Sequence, residues 1–219
     1  MIKLSKRLSV IASFIPDNCN MVDIGCDHGL LDIFLYQNRE NIKIISSDVN
    51  SNALENARNN FKKYKVNKNI SLVLSDGFDN IDMSNIDTVV ISGMGAHTIV
   101  GILLKDLNKI KNVNNIIIQS NNDIDFIRKR ITSIGFYILD EELVLDGGII
   151  YTVIKFARGH KFYNFKQLYF GPVLLKKNNE LFKQKKLNDL NKLKKLYSVI
   201  PKKYIFYRFR VYFKILLFK

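Results

Sequence analysis

The chain has 219 residues and 34 Lys and Arg against 20 Asp and Glu, a formal net charge of +14, and that length suits one α/β domain with a small appendage. The longest uncharged run, Thr88 to Leu104, is interrupted by Ser92-Gly93-Met94-Gly95-Ala96-His97 and is too short for a membrane span, so no membrane partner is expected. Cys19 and Cys26 have neither the paired spacing of a zinc site nor a secretory signal before them; that excludes a disulfide framework, gives no reason to expect a metal, and makes a reducing cytoplasm the expectation.

In chain order, Leu4, Leu8, Ile11 and Ile15 have helical spacing, closed by Pro16. A buried strand at about 20–24 runs through Val22-Asp23-Ile24-Gly25-Cys26-Asp27-His28-Gly29-Leu30 into a helix expected from Asp27 to about Gln37. A strand at 42–47, a helix at 51–64 and a strand at 70–75 follow, the last ending in Ser75-Asp76-Gly77-Phe78. The next strand, 86–91, enters Gly93-Met94-Gly95 and a helix from Ala96 to Leu107. Strand 115–119 ends in Gln119-Ser120-Asn121-Asn122, with Asp123 read as the cap of a helix to about Ser133. This alternation makes a parallel sheet with helices on both faces. Strands at 136–139, 143–145 and 149–156 are then joined through Asp146-Gly147-Gly148, a hairpin signal. The fold class is therefore α/β, a sheet of the Rossmann-like methyltransferase kind ending in an antiparallel hairpin, an analogy that carries function only weakly.

The positive charge is localised. Residues 155–219 hold 18 Lys and Arg against 2 acidic residues, whereas residues 1–154 hold 16 against 18, which points to a polyanionic partner for the tail. Leu174 to Ile200 reads as one helix with Leu187, Leu190, Leu193, Tyr197 and Ile200 near one side, ended by Pro201. Ile205, Phe209, Tyr212 and Leu216 follow at coiled-coil spacing, interleaved with Arg208, Arg210 and Lys214. Two helices joined at Pro201 predict an antiparallel hairpin.

The turn at Gly25 and Gly29 lets a ligand approach the main chain closely. It lacks the G-x-G-x-x-G dinucleotide fingerprint, and its carboxylates would repel a pyrophosphate, so a cationic or zwitterionic cofactor fits better. Asp48, ending the next strand, is placed for ribose hydroxyls, and Asp76 with Gly77 for an adenine ring. Together these favour S-adenosylmethionine over NAD. One aspartate at a strand end is an ordinary turn residue, but three at successive strand ends match the ligand side of an open α/β sheet. The Gly93–His97 segment lies where an acceptor base would be presented. His97 could contact substrate but reads more readily as a solvated cap, Gln119 and Asn121 read as base-reading amides or as turn residues, and His28 is the better placed of the two histidines.

Leu4-Ser5-Lys6-Arg7-Leu8, Asp23-Ile24-Gly25-Cys26-Asp27-His28, Ser75-Asp76-Gly77, Gly93-Met94-Gly95, Gln119-Ser120-Asn121, Asp146-Gly147-Gly148 with Tyr151, and Phe170-Gly171-Pro172 span nearly the whole chain. Together they resemble the bacterial tRNA (adenine-N1)-methyltransferases that act on adenine 22. The sequence departs from the family pattern at Ser120, where Pro is often found, and at Ala96, where Gly is frequent. The resemblance implies an S-adenosylmethionine-binding domain at 1–158 and a basic, coiled-coil-like tRNA-binding domain at 159–219. It implies Arg7, Asp23, Gly25, Asp27, Asp48, Asp76, Gly77 and Gly93 for the cofactor, and Asp27, His28, Met94, Gln119 and Asn121 for the reacting face. Lys202, Lys203, Arg208, Arg210 and Lys214 are the expected RNA contacts, and a monomer is expected.

Adenine N1 is an uncharged lone-pair nucleophile, so the enzyme's task would be alignment and desolvation, with Asp27 facing the positive charge left on the base. The rival readings are a non-catalytic RNA-binding protein on the same scaffold, a methyltransferase with another RNA target, and a membrane-surface protein using the amphipathic helix from Tyr204 to Lys219.

Overall fold

A computed structural model describes residues 2–66 and 70–218; Lys219, the end of the expected amphipathic helix, lies outside the described residues. The parallel strands are β1 (Asn20–Ile24), β2 (Lys43–Asp48), β3 (Ile70–Leu74), β4 (Thr88–Met94) and β5 (Asn115–Ser120). The antiparallel pair is β6 (Phe136–Asp146) and β7 (Ile149–Arg158). They form a seven-stranded sheet ordered β3-β2-β1-β4-β5-β7-β6. Period-two alternation sorts the core onto two faces. Met21, Val90 and Ile117 pack on one side, while Val22, Val89, Ile91, Ile116 and Ile118 pack on the other. Strand order reverses between β1 and β4, and in such sheets the crevice beyond the strands' carboxyl ends at that point is where ligands bind.

Helices α1 (Lys6–Phe14), α2 (Leu30–Asn38), α3 (Ser51–Lys63), α4 (Ala96–Lys105) and α5 (Ile124–Thr132) cover the sheet. Ser5 caps α1 by accepting from Leu8 N–H, and the Arg39 guanidinium donates to the carbonyls of Ala12, Ile15 and Pro16 at its other end. The tail holds α6 (Phe165–Phe170), α7 (Pro172–Lys177), α8 (Glu180–Val199) and α9 (Ile205–Leu216). An antiparallel α8–α9 hairpin turns at Pro201, as its sequence predicts.

Several expected boundaries move, each for a local reason. The helix expected from Asp27 starts at Leu30, because Asp27 (φ 49°) and Gly29 (φ 64°) are both left-handed. Asp123 holds the N-cap position of α5 as its sequence suggests, but in the left-handed region (φ 43°) its side chain makes no cap bond. Strands 136–139 and 143–145 are one strand: Asp140-Glu141-Glu142 stays in β6 because Lys177 reaches Asp140 and Glu142 while Glu141 turns inward. The single helix expected from Leu174 to Ile200 breaks at left-handed Asn178 (φ 42°), and Asn179 starts α8 by accepting from Phe182 N–H.

The apolar stripe read on α9 is on the wrong side. Ile205 (71 % exposed) and Phe209 (66 %) face outward, and Val211 is buried instead. The Arg208 guanidinium turns this face inward by donating to the carbonyls of Tyr197 (3.1 Å) and Ile200 (2.6 Å) at the end of α8. A cation there also opposes the negative end of the helix dipole.

Candidate functional site

At the carboxyl ends of β1, β2 and β4 lies a cavity of about 450 Å³. Its floor is the β1–α2 turn. Gly25 and Cys26 donate their N–H groups to Ser47 O (2.7 and 3.0 Å), which ties the turn to β2. Gly25 is favoured by its left-handed φ of +78°, and a Cβ there would push aside the terminal methyl of Met94 at the end of β4.

The acidic groups occupy different depths. Asp48 is preset, accepting from Asp27 N–H (3.2 Å) and Asn50 N–H (2.9 Å), and it keeps lone pairs for a ligand. Asp27 is exposed on the rim beside His28, with Nε2 to Oδ2 at 3.5 Å. Asp23 is fully buried beneath them, and its Oδ1 has no protein partner among the described residues. Burial, then the neighbouring Asp32 and Asp48, pushes its carboxyl well above the usual range. Behind the turn, Asp32 accepts from the Ser46 hydroxyl, and burial pushes its pKa up to about 7.

Sequence reading missed Asp32, although one acid in the apolar run Leu30-Leu31-Asp32-Ile33-Phe34-Leu35 is a signal of a buried carboxyl. It also missed Asn50 and Ser92, both at the cavity wall.

Opposite the turn, a polar network fixes the reacting face. Gln119 is fully buried, and its Oε1 accepts from the Arg7 guanidinium and from Gly93 N–H (3.1 Å). Its Nε2 donates to Asn121 Oδ1 (3.2 Å), and Asn121 Nδ2 donates to Gly93 O (2.7 Å). Gln119 is thus spent on positioning the end of β4 at Gly93-Met94 and offers nothing to solvent. Exposed Asn121 retains amide capacity facing outward.

The structure brings Arg7, Asp23, Gly25, Asp27, His28, Asp48, Gly93 and Met94 around one space. It leaves Asp76 and Gly77 outside that wall, with Lys105 Nζ held 3.5 Å from Asp76 and 2.7 Å from Asp79. His97 lies elsewhere, against the Phe126 ring at 4.5 Å. Of the basic residues, Lys202, Lys203 and Arg210 are exposed. Arg208 serves the α8 terminus, and Lys214 sits 3.9 Å from Asp125.

The donor set fits S-adenosylmethionine. A buried unpartnered Asp23 oxygen suits a ligand ammonium, a preset Asp48 suits a ribose diol, and the glycine turn lets a ligand approach the protein main chain closely. Among the described residues no group of three or more His, Cys, Asp or Glu side chains is arranged to hold a metal, and no helix is long and apolar enough to cross a membrane.

Known proteins give the same answer from outside. The chain is 27 % identical over 205 residues to the tRNA (adenine(22)-N(1))-methyltransferase of Bacillus subtilis, covering 91 % of this chain and 86 % of that one. A solved protein of the NADB-Rossmann superfamily from Streptococcus agalactiae superposes with a TM-score of 0.93 at 32 % identity, over 99 % of this chain and 96 % of that one. The Streptococcus pneumoniae protein Sp1610, solved in complex with S-adenosyl-L-methionine, superposes with a TM-score of 0.89 at 28 % identity, over 99 % and 98 %. Residues 21–211 match the family model of the tRNA (adenine(22)-N(1))-methyltransferases, and with that fold and that cavity the chain belongs to this family.

Proposed function

We propose that this protein transfers a methyl group from S-adenosylmethionine to N1 of adenine 22 in tRNA, acting as a monomer in the cytoplasm. The observation that carries the reading is the pairing of a carboxylate-floored cavity with the end of β4 at Gly93-Met94, held by Gln119 and Asn121. Intact acidic strand ends argue against a non-catalytic RNA-binding scaffold.

The cofactor supplies an electrophilic methyl on a sulfonium; everything else falls to the chain. Asp23 holds the amino-acid end, Asp48 the ribose, and the Gly25 turn keeps the backbone close. The end of β4 at Gly93 and Met94, held by Gln119 and Asn121, presents a wall against which the adenine aligns. No general base is needed for attack by N1. The Asp27 carboxylate on the rim faces the positive charge that develops on the base. Residues 1–158 carry this chemistry, while 159–219 supply RNA affinity through exposed Lys202, Lys203 and Arg210. Asp76 and Gly77 join the cofactor site only if Lys105 yields Asp76.

Digestion of methylated tRNA to nucleosides, read by mass spectrometry, tests the reading. The expected product is 1-methyladenosine, lost when adenine 22 is replaced; methylation elsewhere overturns it.

A further inference from the structure

A second cavity, about 300 Å³ in volume, opens between the end of the sheet and the C-terminal helices. Asn121 and Tyr151 line it on the sheet side; Tyr169 and Phe170 of α6, Lys186 of α8 and Lys214 of α9 line it on the other. Only one hydrogen-bonded layer separates it from the cofactor cavity. Asn121 donates from its backbone to Met94 O (3.0 Å) and from its side chain to Gly93 O (2.7 Å), and both of those residues line the first cavity. Arg7 and Tyr151 repeat the relationship: Arg7 lines the first space, Tyr151 the second, and the guanidinium lies 5.4 Å from the ring centroid.

The lining is chemically unusual. Lys185 pairs with Asp189 at 3.1 Å and Lys214 with Asp125 at 3.9 Å, but Lys186 has no carboxylate within ion-pair distance among the described residues. Its ammonium lies over the rings of Phe170 (5.1 Å) and Phe182 (5.8 Å). A nucleotide uses all three kinds of group. Its phosphate meets the unneutralised lysine, its base meets the half-buried rings of Tyr151 and Tyr169, and its amino and 2′-hydroxyl donors meet the carboxylates of Asp125 and Asp189. An apolar ligand would strip water from these charges without compensation, and a simple anion would leave rings and carboxylates unused.

We propose that this cavity receives the nucleotide adjoining the methylated adenosine in the substrate RNA, a subsite built jointly by the sheet and the basic helices. The proposal rests on the reading of the protein as a tRNA methyltransferase. It makes the tail a specificity element, with a defined seat for one nucleotide in addition to a diffuse positive field.

The test uses the full chain with S-adenosylhomocysteine and tRNA carrying 4-thiouridine immediately 5′ or 3′ of adenine 22. Irradiation should crosslink one of the two to the peptide holding Tyr151 or that holding Tyr169. In parallel, Lys186→Glu should raise the KM for tRNA about tenfold, with single-turnover rate and S-adenosylmethionine affinity kept, while Lys194→Glu on the same helix, outside the cavity, shifts it far less. Lys186→Gln, giving an intermediate shift, guards against a folding artefact. Crosslinks confined to other peptides, or equal losses for the Lys186 and Lys194 variants, overturn the proposal. Unmodified tRNA tests the underlying reading separately: no methylation of adenine 22 by the wild-type chain sinks that reading, whereas methylation without cavity crosslinks sinks only this one.

Discussion

Arg128 Nε donates to Glu141 Oε1 at 2.6 Å with both side chains buried, and the pair joins the C-terminal helices to the sheet. The guanidinium also reaches the carbonyls of Leu168 (3.3 Å) and Tyr169 (2.9 Å) in α6, and Glu141 Oε2 accepts from Val173 N–H (3.0 Å) in α7. Gly171 lies between, where a Cβ would come within 2.6 Å of the carboxylate at a φ of +97°. Removing one partner leaves a buried charge alone, so Arg128→Ala should cost about 3–5 kcal/mol. Urea denaturation measures this, and a loss below about 1 kcal/mol would mean that water reaches the pair.

Asp48 and Asp76 should separate. Asp48 is already aimed into the cavity, so Asp48→Ala should weaken S-adenosylmethionine binding by about 1–3 kcal/mol. Asp76 is engaged by Lys105 outside the wall, so Asp76→Ala should do less. Calorimetric titration of both variants decides, and equal losses would place the adenine at Asp76.

The buried carboxyls give cofactor binding a pH dependence. Asp32 is pushed from 3.8 to about 7, and Asp23 is raised as well. The folded protein therefore keeps protons that the unfolded chain has lost, and its stability falls as pH rises from about 4 to about 7. A cationic ligand favours the carboxylate forms, so binding should release protons near neutrality and tighten as pH rises through that window. Titrations in buffers of different ionisation enthalpy should show the release, reduced in Asp32→Asn; a buffer-independent enthalpy contradicts it.

Asp27→Ala should lower the single-turnover rate with saturating cofactor and tRNA more than it lowers tRNA affinity, because its field matters most as charge develops on the base. A loss confined to affinity would make Asp27 a docking residue.

The basic residues of the hairpin should divide into two classes. Neutralising Lys202, Lys203 and Arg210 should flatten the salt dependence of tRNA affinity, since exposed cations release counterions on binding. Arg208→Ala should instead lower the melting temperature, because its guanidinium holds the end of α8. Equal salt slopes for the triple variant and wild type would move the RNA contacts elsewhere.

Much of this was legible in the residue order. Strand–helix alternation, the glycine turn at Gly25 and the hairpin at Gly147-Gly148 are local signals, and local signals survive folding. What escaped depends on partners distant in sequence. Glu141 reads as a solvent break until Arg128 is brought beside it, and Arg208 reads as a surface charge until it meets the end of α8. Gln119 looks like a reader of substrate, but Arg7, from a helix more than a hundred residues away, uses its oxygen. Asn178 carried its own clue, since Asn-Asn favours a left-handed stop followed by a cap.

The insertion of β7 between β5 and β6 bears on how the chain is made. A ribosome delivers β6 before β7, so β6 has no neighbour in the sheet until the later strand arrives and pairs with both sides. Until residue 158 emerges, β5 is an open edge, and Glu141 waits longer still for Val173 N–H in α7. Nascent chains arrested before that point should be the ones that chaperones hold longest, because an unpaired strand edge and an unmatched polar side are what such factors protect.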